Sequence, residues 1–466
     1  MEAVVKWIDE GQERALRILT ELLRIPSVST DPEHREDMKR ASEYLADLVR
    51  GAGIENVEIV PTEGHPIVYG EKLDVPGAPT LLVYGHYDVQ PVGDLAKWST
   101  APFEPQVRDG KIWARGATDD KGQLLIHVFA AEAHLRTHGK LPVNVKYVFE
   151  GEEEIGSSNL KRFLEDNRQK LACDAVIISD TSMFGPGVPS LCTGLRGIAY
   201  VEFTLRGPAS DLHSGSFGGA VANPALVLAQ VLTRMKGPES GRVLIEGFYD
   251  DVVEPAEAEK RAWANLPQTD EEFRRKVGVP ELHGEANRTT LERLWSRPSL
   301  DVNGIWGGFT GEGSMTVLPA RASAKVSMRL VPEQDPKDIV RKFRAHLEKT
   351  LPGTVVLETF KEHHGAQAWT CSVDQPVVQA ALRAVEKGFG APAVPTREGG
   401  SIPIVHDFSQ ILGVPVVLMG IGLNDEGAHG PDEHLDLGNF QAGIRSAAHL
   451  LAEGAAARVG SQKGSS

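Results

Sequence analysis

Short apolar runs alternate with segments of helical spacing through most of the chain. Buried strands are predicted for TLLVYGH (80–86), VNVKYVFE (143–150), DAVIISD (174–180) and PVVLMGIG (415–422). Helices are predicted for the N-terminal segment up to Pro26, for Met38 to Arg50, for LLIHVFAAEAHL (124–135) and for VVQAALRAVEKGF (377–389). This alternation predicts an α/β fold, with helices on both faces of a sheet.

The middle of the chain has a different pattern. YVEFTLRGP (200–208) and SAKVSMRLVP (323–332) alternate apolar and polar residues, as strands with one solvent-facing side do. Amphipathic helices are predicted over 223–235 and 335–351, and a further strand over 354–360. We therefore expect a small α+β sandwich at 196–372, inserted between the two parts of a catalytic domain, 1–195 and 373–466. The charged, proline-punctuated stretch 237–308 is expected to be an elaboration of this insert.

Composition and charge argue against several kinds of binding partner. The chain has 466 residues and a formal net charge of −15, which disfavours binding to nucleic acid and to anionic membranes. Its three cysteines (Cys173, Cys192 and Cys371) form no C-x-x-C pair, as expected of buried thiols in a reducing compartment. The charged N-terminus and the absence of a long apolar run predict a cytoplasmic protein without a membrane span.

Acidic residues and histidines follow the predicted strands. His86 and Asp88 end the first strand, Glu152–Glu154 follow the second, Asp180 ends the third, and His429 lies in the loop after the fourth. In open α/β sheets, ligands bind beyond the carboxyl ends of the strands. These groups are therefore expected in one crevice, together with Asp119 and Asp120, which precede a predicted helix.

A cluster of carboxylates needs positive charge, because its members would otherwise repel one another and take up protons. Divalent cations supply that charge, and mixed imidazole and carboxylate ligands favour zinc, manganese or cobalt over calcium. No H-E-x-x-H helix is present, which excludes that kind of one-zinc site. Taken singly, each group is also compatible with a strand cap or a solvated acidic face.

Seven motifs resemble one known family in the same order along nearly the whole chain. They are GHYDVQPV, ARGATDDKGQ, FEGEEEIGSS, ISDTSM, DLHSGSFGG, MRLVP and REGGSIPI. The chain resembles the co-catalytic metallopeptidases, which include carnosinase, cytosolic non-specific dipeptidase, acetylornithine deacetylase and succinyl-diaminopimelate desuccinylase. It is most similar to the carnosinase-like branch. The resemblance implies a mixed-sheet, three-layer catalytic domain with an inserted ferredoxin-like lid and dimerisation domain.

The resemblance also implies the ligands of two divalent metal ions per subunit. His86 and Asp180 would bind one metal, Glu154 and His429 the other, and Asp119 would bridge them. We expect zinc, with manganese and cobalt as alternatives.

Further residues are assigned around these ligands by the same resemblance. Asp88 would orient His86, Glu153 would act as the general base on a water shared by the metals, and the Asp119–Asp120 peptide would be cis. The loop His429-Gly430-Pro431-Asp432-Glu433 departs from the usual H-S-x-N-E, which leaves His434 as a rival ligand.

The substrate-binding residues implied by the resemblance lie later in the chain. His213 would stabilise the oxyanion, in the active site of the opposite subunit of a homodimer paired through the inserted domains. Arg329, Ser401 and the Gly399–Gly400 backbone would bind the substrate carboxylate, assisted by Thr316, and Glu398 would pair with a free amine. The alternatives are a turn histidine for His213, a surface strand residue for Arg329, and a structural salt-bridge partner for Glu398.

The sequence therefore predicts a metal-dependent dipeptidase acting on small peptides with a free carboxylate. A carboxypeptidase or an N-acyl or N-carbamoyl amino acid amidohydrolase of the same family is the nearest alternative. A non-catalytic metal-binding scaffold is the alternative from another class. Neither a G-x-S-x-G elbow nor a nucleotide-binding glycine motif is present.

Overall fold

A computed structural model describes residues 1–363 and 365–457. Its helices are α1 (Glu2–Glu10), α2 (Gln12–Leu23), α3 (Arg35–Gly51), α4 (Gly122–His138), α5 (Leu160–Asp166), α6 (Ser214–Phe217), α7 (Pro224–Arg234), α8 (Glu257–Ala264), α9 (Asp270–Val277), α10 (Thr290–Trp295), α11 (Pro336–Thr350), α12 (Pro376–Phe389), α13 (Pro403–Leu412) and α14 (Leu437–Ala456).

The strands complete the list of elements. They are β1 (Glu55–Val60), β2 (Ile67–Lys72), β3 (Thr80–His86), β4 (Gln106–Arg108), β5 (Lys111–Trp113), β6 (Asn144–Glu150), β7 (Ala175–Ile178), β8 (Ser182–Met183), β9 (Ser190–Leu195), β10 (Gly197–Arg206), β11 (Leu212–His213), β12 (Ser299–Gly307), β13 (Val317–Leu318), β14 (Arg321–Leu330), β15 (Val356–Glu362), β16 (Trp369–Thr370), β17 (Val394–Glu398), β18 (Val416–Leu418), β19 (Gly422–Leu423) and β20 (His434–Asp436).

The chain forms two compact units. Among the described residues, unit 1 comprises 1–193, 371–396 and 404–457, and unit 2 comprises 194–363, 365–370 and 397–403. The sequence boundaries assign 397–403 to the second part of the catalytic domain, whereas the structure groups this segment with unit 2. The division into a catalytic and a lid domain stays a prediction.

Unit 1 is built on a mixed sheet with the order β1-β2-β6-β3-β7-β18-β9. The central strands β6, β3, β7 and β18 run parallel, while β1, β2 and β9 pair antiparallel. Strands β6 and β7 are buried along their whole length, as apolar runs at the centre of a parallel sheet should be. The predicted α/β fold is confirmed.

Unit 2 contains an antiparallel sheet with the order β12-β14-β10-β15. Residues of β10 alternate between buried and half-buried, because one face of this sheet packs on a separate core. That core includes Val201 and Phe203 of β10 and Phe343 of α11. This arrangement agrees with the predicted α+β sandwich.

One local expectation from the sequence is wrong. The N-terminal segment forms two helices that meet at Gly11, whereas its spacing predicted one. The stretch 237–308 ends in the edge strand β12 of the unit 2 sheet, for which the sequence predicted no strand, because exposed residues there hide the apolar pattern. Within 1–363 and 365–457, no helix is long and apolar enough to cross a bilayer. The Ser/Gly-rich end of the sequence, GSQKGSS, for which composition predicts disorder, lies outside the described residues.

Candidate metal centre and active site

Three parallel strands bring their carboxyl ends together in unit 1. His86 ends β3 and is in register with Glu150 at the end of β6, and Tyr84 is in register with Ile178 at the end of β7. Glu153 and Glu154 therefore follow β6, and Asp180 follows β7, at the edge of the sheet where His86 lies. This is the edge at which parallel α/β sheets bind ligands.

The first group of potential ligands is centred on the fully buried His86. Its Nε2 lies 3.0 Å from Oδ1 of Asp119 and 3.8 Å from Oδ1 of Asp180. One ligand atom from each of these three residues lies within 4.8 Å of the others.

The second group is centred on His429, whose side chain is 58% exposed. Its Nε2 lies 2.9 Å from Oδ2 of Asp119 and 3.3 Å from Oε2 of Glu154. Asp119 belongs to both groups and turns a different oxygen to each histidine, which is the arrangement of a bridging carboxylate. Among the described residues, the structure brings together all five side chains predicted as metal ligands.

The electrostatics of the two groups show the need for positive charge. Burial raises the pKa of Asp180 to about 6 and that of Glu153 well above its usual range. Hydrogen bonds to Asp119 and Glu154 raise the pKa of His429 to about 10. A donor set of two imidazole nitrogens and three carboxylates fits divalent cations of the zinc, manganese and cobalt type.

Asp88 links the ligands to the candidate base. The Nδ1 of His86 lies 3.1 Å from the Asp88 carbonyl oxygen and 3.4 Å from its Oδ1. A hydrogen on Nδ1 donated to Asp88 would leave the Nε2 lone pair available to a metal ion held together with Asp119. The Asp88 carboxylate also accepts the backbone N–H groups of Glu153 at 3.2 Å and Glu154 at 3.1 Å. Asp88 thus contacts His86 mainly through its backbone carbonyl and fixes, through its carboxylate, the loop that carries both glutamates.

Sequence reasoning did not assign a role to Glu433, which organises the loop around Asp119. Its buried carboxylate accepts the backbone N–H groups of Gly116, Thr118 and Asp119 at 2.9–3.1 Å. It also accepts Nη1 of Arg115 at 2.7 Å, and Arg115 in turn donates to the carbonyl of Gly430 at 3.0 Å. The only signal for Glu433 in the sequence was its spacing from His429, which is the same as in the usual H-S-x-N-E pattern.

In the altered HGPDE loop, His429 belongs to a group of potential metal ligands. Among the described residues, His434 belongs to no such group. His434 stacks on Trp113 at 4.1 Å between ring centroids. Its Nδ1 lies 2.9 Å from the carbonyl oxygen of Asp432, and its Nε2 lies 3.0 Å from Nζ of Lys111. The Asp119–Asp120 peptide is cis, as the resemblance implied, and Asp120 accepts the backbone N–H of His86 at 3.1 Å.

Two of the residues predicted to assist catalysis are neighbours in unit 2. His213 lies on β11, which pairs with β13, and its Nε2 is 3.4 Å from Oγ1 of Thr316. The backbone N–H of Gly215 donates to Nδ1 of His213 at 3.1 Å. In the neutral ring the hydrogen is therefore on Nε2, which makes this exposed atom a donor.

The residues predicted to bind the substrate carboxylate also belong to unit 2. Nη1 of Arg329 donates to Oγ of Ser401 at 3.1 Å, and this hydroxyl donates to the Arg196 carbonyl at 2.6 Å. Arg329 forms no ion pair with any residue in the described parts of the chain, and burial lowers the pKa of its guanidinium. Gly400 is exposed with open space above its Cα, and Glu398 ends β17. An unpaired, partly buried guanidinium beside a hydroxyl is suited to a carboxylate ligand.

Residues 82–453 match the family described as peptidase family M20/M25/M40. The chain is 34% identical over 461 residues to the Cys-Gly metallodipeptidase dug1 of Schizosaccharomyces pombe, covering 96% of each chain. It is 31% identical over 473 residues to the Beta-Ala-His dipeptidase of Homo sapiens, covering 97% of this chain and 92% of the relative.

A solved structure extends the comparison. The chain superposes with a TM-score of 0.82 on the M20 family metallo-carboxypeptidase Sso-CP2 of Sulfolobus solfataricus, at 35% identity, covering 95% of this chain and 99% of the other. The family match covers most of the chain, and the relatives are similar over nearly their whole length. The chain belongs to peptidase family M20/M25/M40 and is a metallopeptidase.

Proposed function

We propose that this protein is a metal-dependent dipeptidase that hydrolyses dipeptides with a free carboxylate and a free amine. The observation that carries the proposal is Asp119, whose two oxygens face two separate histidines beside Glu153. The named relatives support it, since they include a Cys-Gly metallodipeptidase and a Beta-Ala-His dipeptidase.

Five residues of unit 1 would hold two divalent metal ions. His86, Asp119 and Asp180 would bind one ion, and Asp119, Glu154 and His429 the other. Zinc is the proposed metal, with manganese and cobalt as alternatives. When bound, such a pair polarises the substrate carbonyl and lowers the pKa of water.

Glu153 is the proposed general base. Its carboxylate takes the proton from the water that attacks the scissile carbonyl, and then passes it to the leaving nitrogen. The hydrogen bonds of Asp88 to the N–H groups of Glu153 and Glu154 support this role, because they fix the base and its neighbouring ligand in one loop. His213 donates Nε2–H to the developing oxyanion, with Thr316 beside it.

The substrate ends are assigned to residues 398–401 and Arg329. Arg329, Ser401 and the Gly399–Gly400 backbone bind the terminal carboxylate, and Glu398 pairs with the free amine. The hydrogen bond from Arg329 to Ser401 supports this assignment, because it places a cation and a hydroxyl side by side.

A homodimer paired through unit 2 is part of the proposal. The edge strand β12 and the loop that follows it expose large apolar side chains, namely Val302, Ile305, Trp306, Phe309 and Met315. A cluster of this kind on a soluble protein is typical of a surface that is covered by a partner. In this dimer, His213 acts in the active site of the opposite subunit.

A substrate panel tests the activity. Protein stripped of metal and reloaded with zinc, manganese or cobalt should hydrolyse free-amine dipeptides and act poorly on their N-acetyl forms. A preference for longer peptides would favour the carboxypeptidase alternative, which the 35% identity to Sso-CP2 supports. A preference for N-acyl or N-carbamoyl amino acids would favour the amidohydrolase alternative.

The scaffold alternative makes a different prediction in the same panel, namely metal binding without turnover of any amide. The complete ligand set and the presence of Glu153 beside it argue against this alternative. The cytoplasmic location stays a prediction.

A further inference from the structure

A stretch of unit 2 with no assigned role holds the segment that carries Ser401. This stretch, residues 254–297, contains α8, α9 and α10 and was expected only as an elaboration of the insert. Two arginines connect the segment 397–401 to this stretch. Arg397 belongs to the segment, and Arg196 contacts both the segment and the stretch. The following inference rests on the proposed dipeptidase function, because it concerns the residues proposed to bind the substrate carboxylate.

Arg397 is tied to α8 by a shielded ion pair. Its Nε and Nη2 donate to Oε1 of Glu259 at 3.1 and 2.7 Å. The side chains of Arg397 and Glu259 are only 13% and 19% exposed, so water screens this pair much less than a surface salt bridge. A pair that is largely out of water holds its partners in one geometry, since separating them would leave a buried charge without compensation.

An aromatic surface lies beneath the same arginine. The guanidinium carbon of Arg397 lies 5.5 Å from the ring centroid of Trp263, which is 3% exposed. Trp263 contacts Trp295 of α10 edge to face, with 5.4 Å between the ring centroids. Arg397 is therefore held against α8 by the ion pair with Glu259 and by the cation–π contact with Trp263, and Trp295 of α10 packs against Trp263.

Arg196 ties the next part of the segment to the end of α10. Its side chain donates to the carbonyl oxygen of Gly399 at 3.3 Å, and to those of Arg293 and Arg297 at 3.5 and 3.4 Å. Its backbone N–H donates to the Glu398 carbonyl at 3.2 Å, and its carbonyl accepts Oγ of Ser401 at 2.6 Å.

Gly399 is needed for this close packing. A Cβ at this position would lie 2.8 Å from Nη2 of Arg196 and 3.3 Å from the Leu294 carbonyl oxygen. The segment 397–401 is thus fixed from both α8 and α10 through contacts within unit 2.

We propose that Glu259 and Trp263 are positioning residues that hold the 397–401 segment in the geometry that binds the substrate carboxylate. They act through Arg397 and do not themselves contact the substrate. The stretch 254–297 thereby contributes to the KM for dipeptides, while the metal ligands and Glu153 determine the chemical step.

The experiment compares Glu259→Gln with a matched control in metal-loaded, full-length protein. The control is Glu271→Gln, which removes an exposed ion pair with Arg274 in the same stretch. For Glu259→Gln we expect the KM of a dipeptide to rise by about tenfold, with kcat changed by less than about twofold, because binding is lost without loss of the chemical step. Metal content should equal that of the wild type, and Glu271→Gln should behave as the wild type.

A charge-swapped variant, Glu259→Arg with Arg397→Glu, restores the ion pair in reverse and should recover at least part of the KM. Hydrogen exchange of peptides covering 397–401 gives a readout that does not depend on turnover. We expect faster exchange there in Glu259→Gln, and no change in Glu271→Gln.

Wild-type KM and unchanged exchange in Glu259→Gln would overturn the inference. The same changes of kcat and KM in Glu259→Gln and in Glu271→Gln would also overturn it, since they would indicate a general loss of structure. If the wild type hydrolyses no dipeptide, the proposed function fails, and the exchange of 397–401 alone decides whether Glu259 positions this segment.

Discussion

At the scale of single residues, the site depends on carboxylates that perform different tasks although their chemistry is the same. Asp119 faces two histidines, Asp88 accepts backbone N–H groups from the loop of Glu153, and Glu433 accepts those of the Asp119 loop. Which task each performs is set by what its oxygens contact. Substitutions at Glu153 and Glu433 should therefore have separable effects.

Replacement of Glu153 by alanine should leave both metals bound and reduce kcat by about 10²–10⁴-fold, because only proton transfer is removed. Metal analysis of the purified variant and steady-state kinetics on a dipeptide check this, with the surface substitution Glu165→Ala as a control. Loss of one metal in Glu153→Ala would show that the base and the ligand Glu154 are assigned the wrong way round.

Replacement of Glu433 by glutamine should weaken metal binding by about 10–100-fold, the usual effect of removing a group that orients a ligand. Glutamine replaces one carboxylate oxygen by an amide nitrogen that cannot accept a hydrogen bond. Either the N–H group of Gly116 or those of Thr118 and Asp119 therefore lose their acceptor. Competition with a chelator measures the affinity, and the absorption spectrum of the cobalt-loaded protein reports the ligand geometry. An affinity and a spectrum equal to those of the exposed control Glu386→Gln would contradict this role.

At the scale of elements, the site is built where strands end and where a helix approaches a strand closely. Glycine makes this approach possible at Gly85, one residue before His86. A Cβ there would lie 2.7 Å from Cβ of Leu124 in α4 and 2.8 Å from Oδ2 of Asp120. The packing of β3 on α4 and the position of the proposed ligand His86 therefore depend on the same missing side chain.

Gly85→Ala should lower the free energy of unfolding by about 1–3 kcal/mol, as expected when a methyl group is forced into a packed interior. The backbone of Gly85 has an ordinary conformation, so the effect comes from space and not from glycine flexibility. Urea unfolding measures it, and Gly51→Ala at the end of α3, where a Cβ meets nothing within 4 Å, is the control. A variant as stable as the wild type would show that α4 can move away.

At the scale of the whole molecule, the proposed dimer assigns His213 to the site of the opposite subunit. Its exposed Nε2 and the apolar surface of β12 are the features of unit 2 that support this assignment. A trans contribution has a consequence that no single variant shows, since two inactive proteins should complement each other.

Mixing Glu153→Ala with His213→Ala, after exchange of subunits, should restore about a quarter of the wild-type activity, because about half of the dimers are mixed and each has one complete site. Activity before and after exchange measures the effect, and each variant exchanged with itself is the control. No recovery, although mixed dimers are present by mass spectrometry, would place His213 in its own subunit's site or outside catalysis.

The sequence was sufficient for the elements whose signal is local. Apolar runs predicted β3, β6 and β7, because burial on both faces of a sheet leaves a nearly continuous apolar run. Helical spacing predicted α12, because burial on one face of a helix leaves a periodic trace. Strand β12 escaped detection since most of its residues are exposed, and the break at Gly11 was hidden by continuous helical spacing.

For the site, the sequence by itself determined the kinds of donor and their position at strand ends, and so the need for divalent cations. Only the tertiary structure decided that Asp119 turns one oxygen to His86 and the other to His429. It also decided that His434 stacks on Trp113 and that Glu433 accepts N–H groups of the Asp119 loop. Some of these contacts join residues more than 300 positions apart in the chain, such as Glu433 and Asp119. Local patterns carry no record of such pairs, because strand order and loop packing are fixed by the burial of the whole sheet and not by neighbours in sequence.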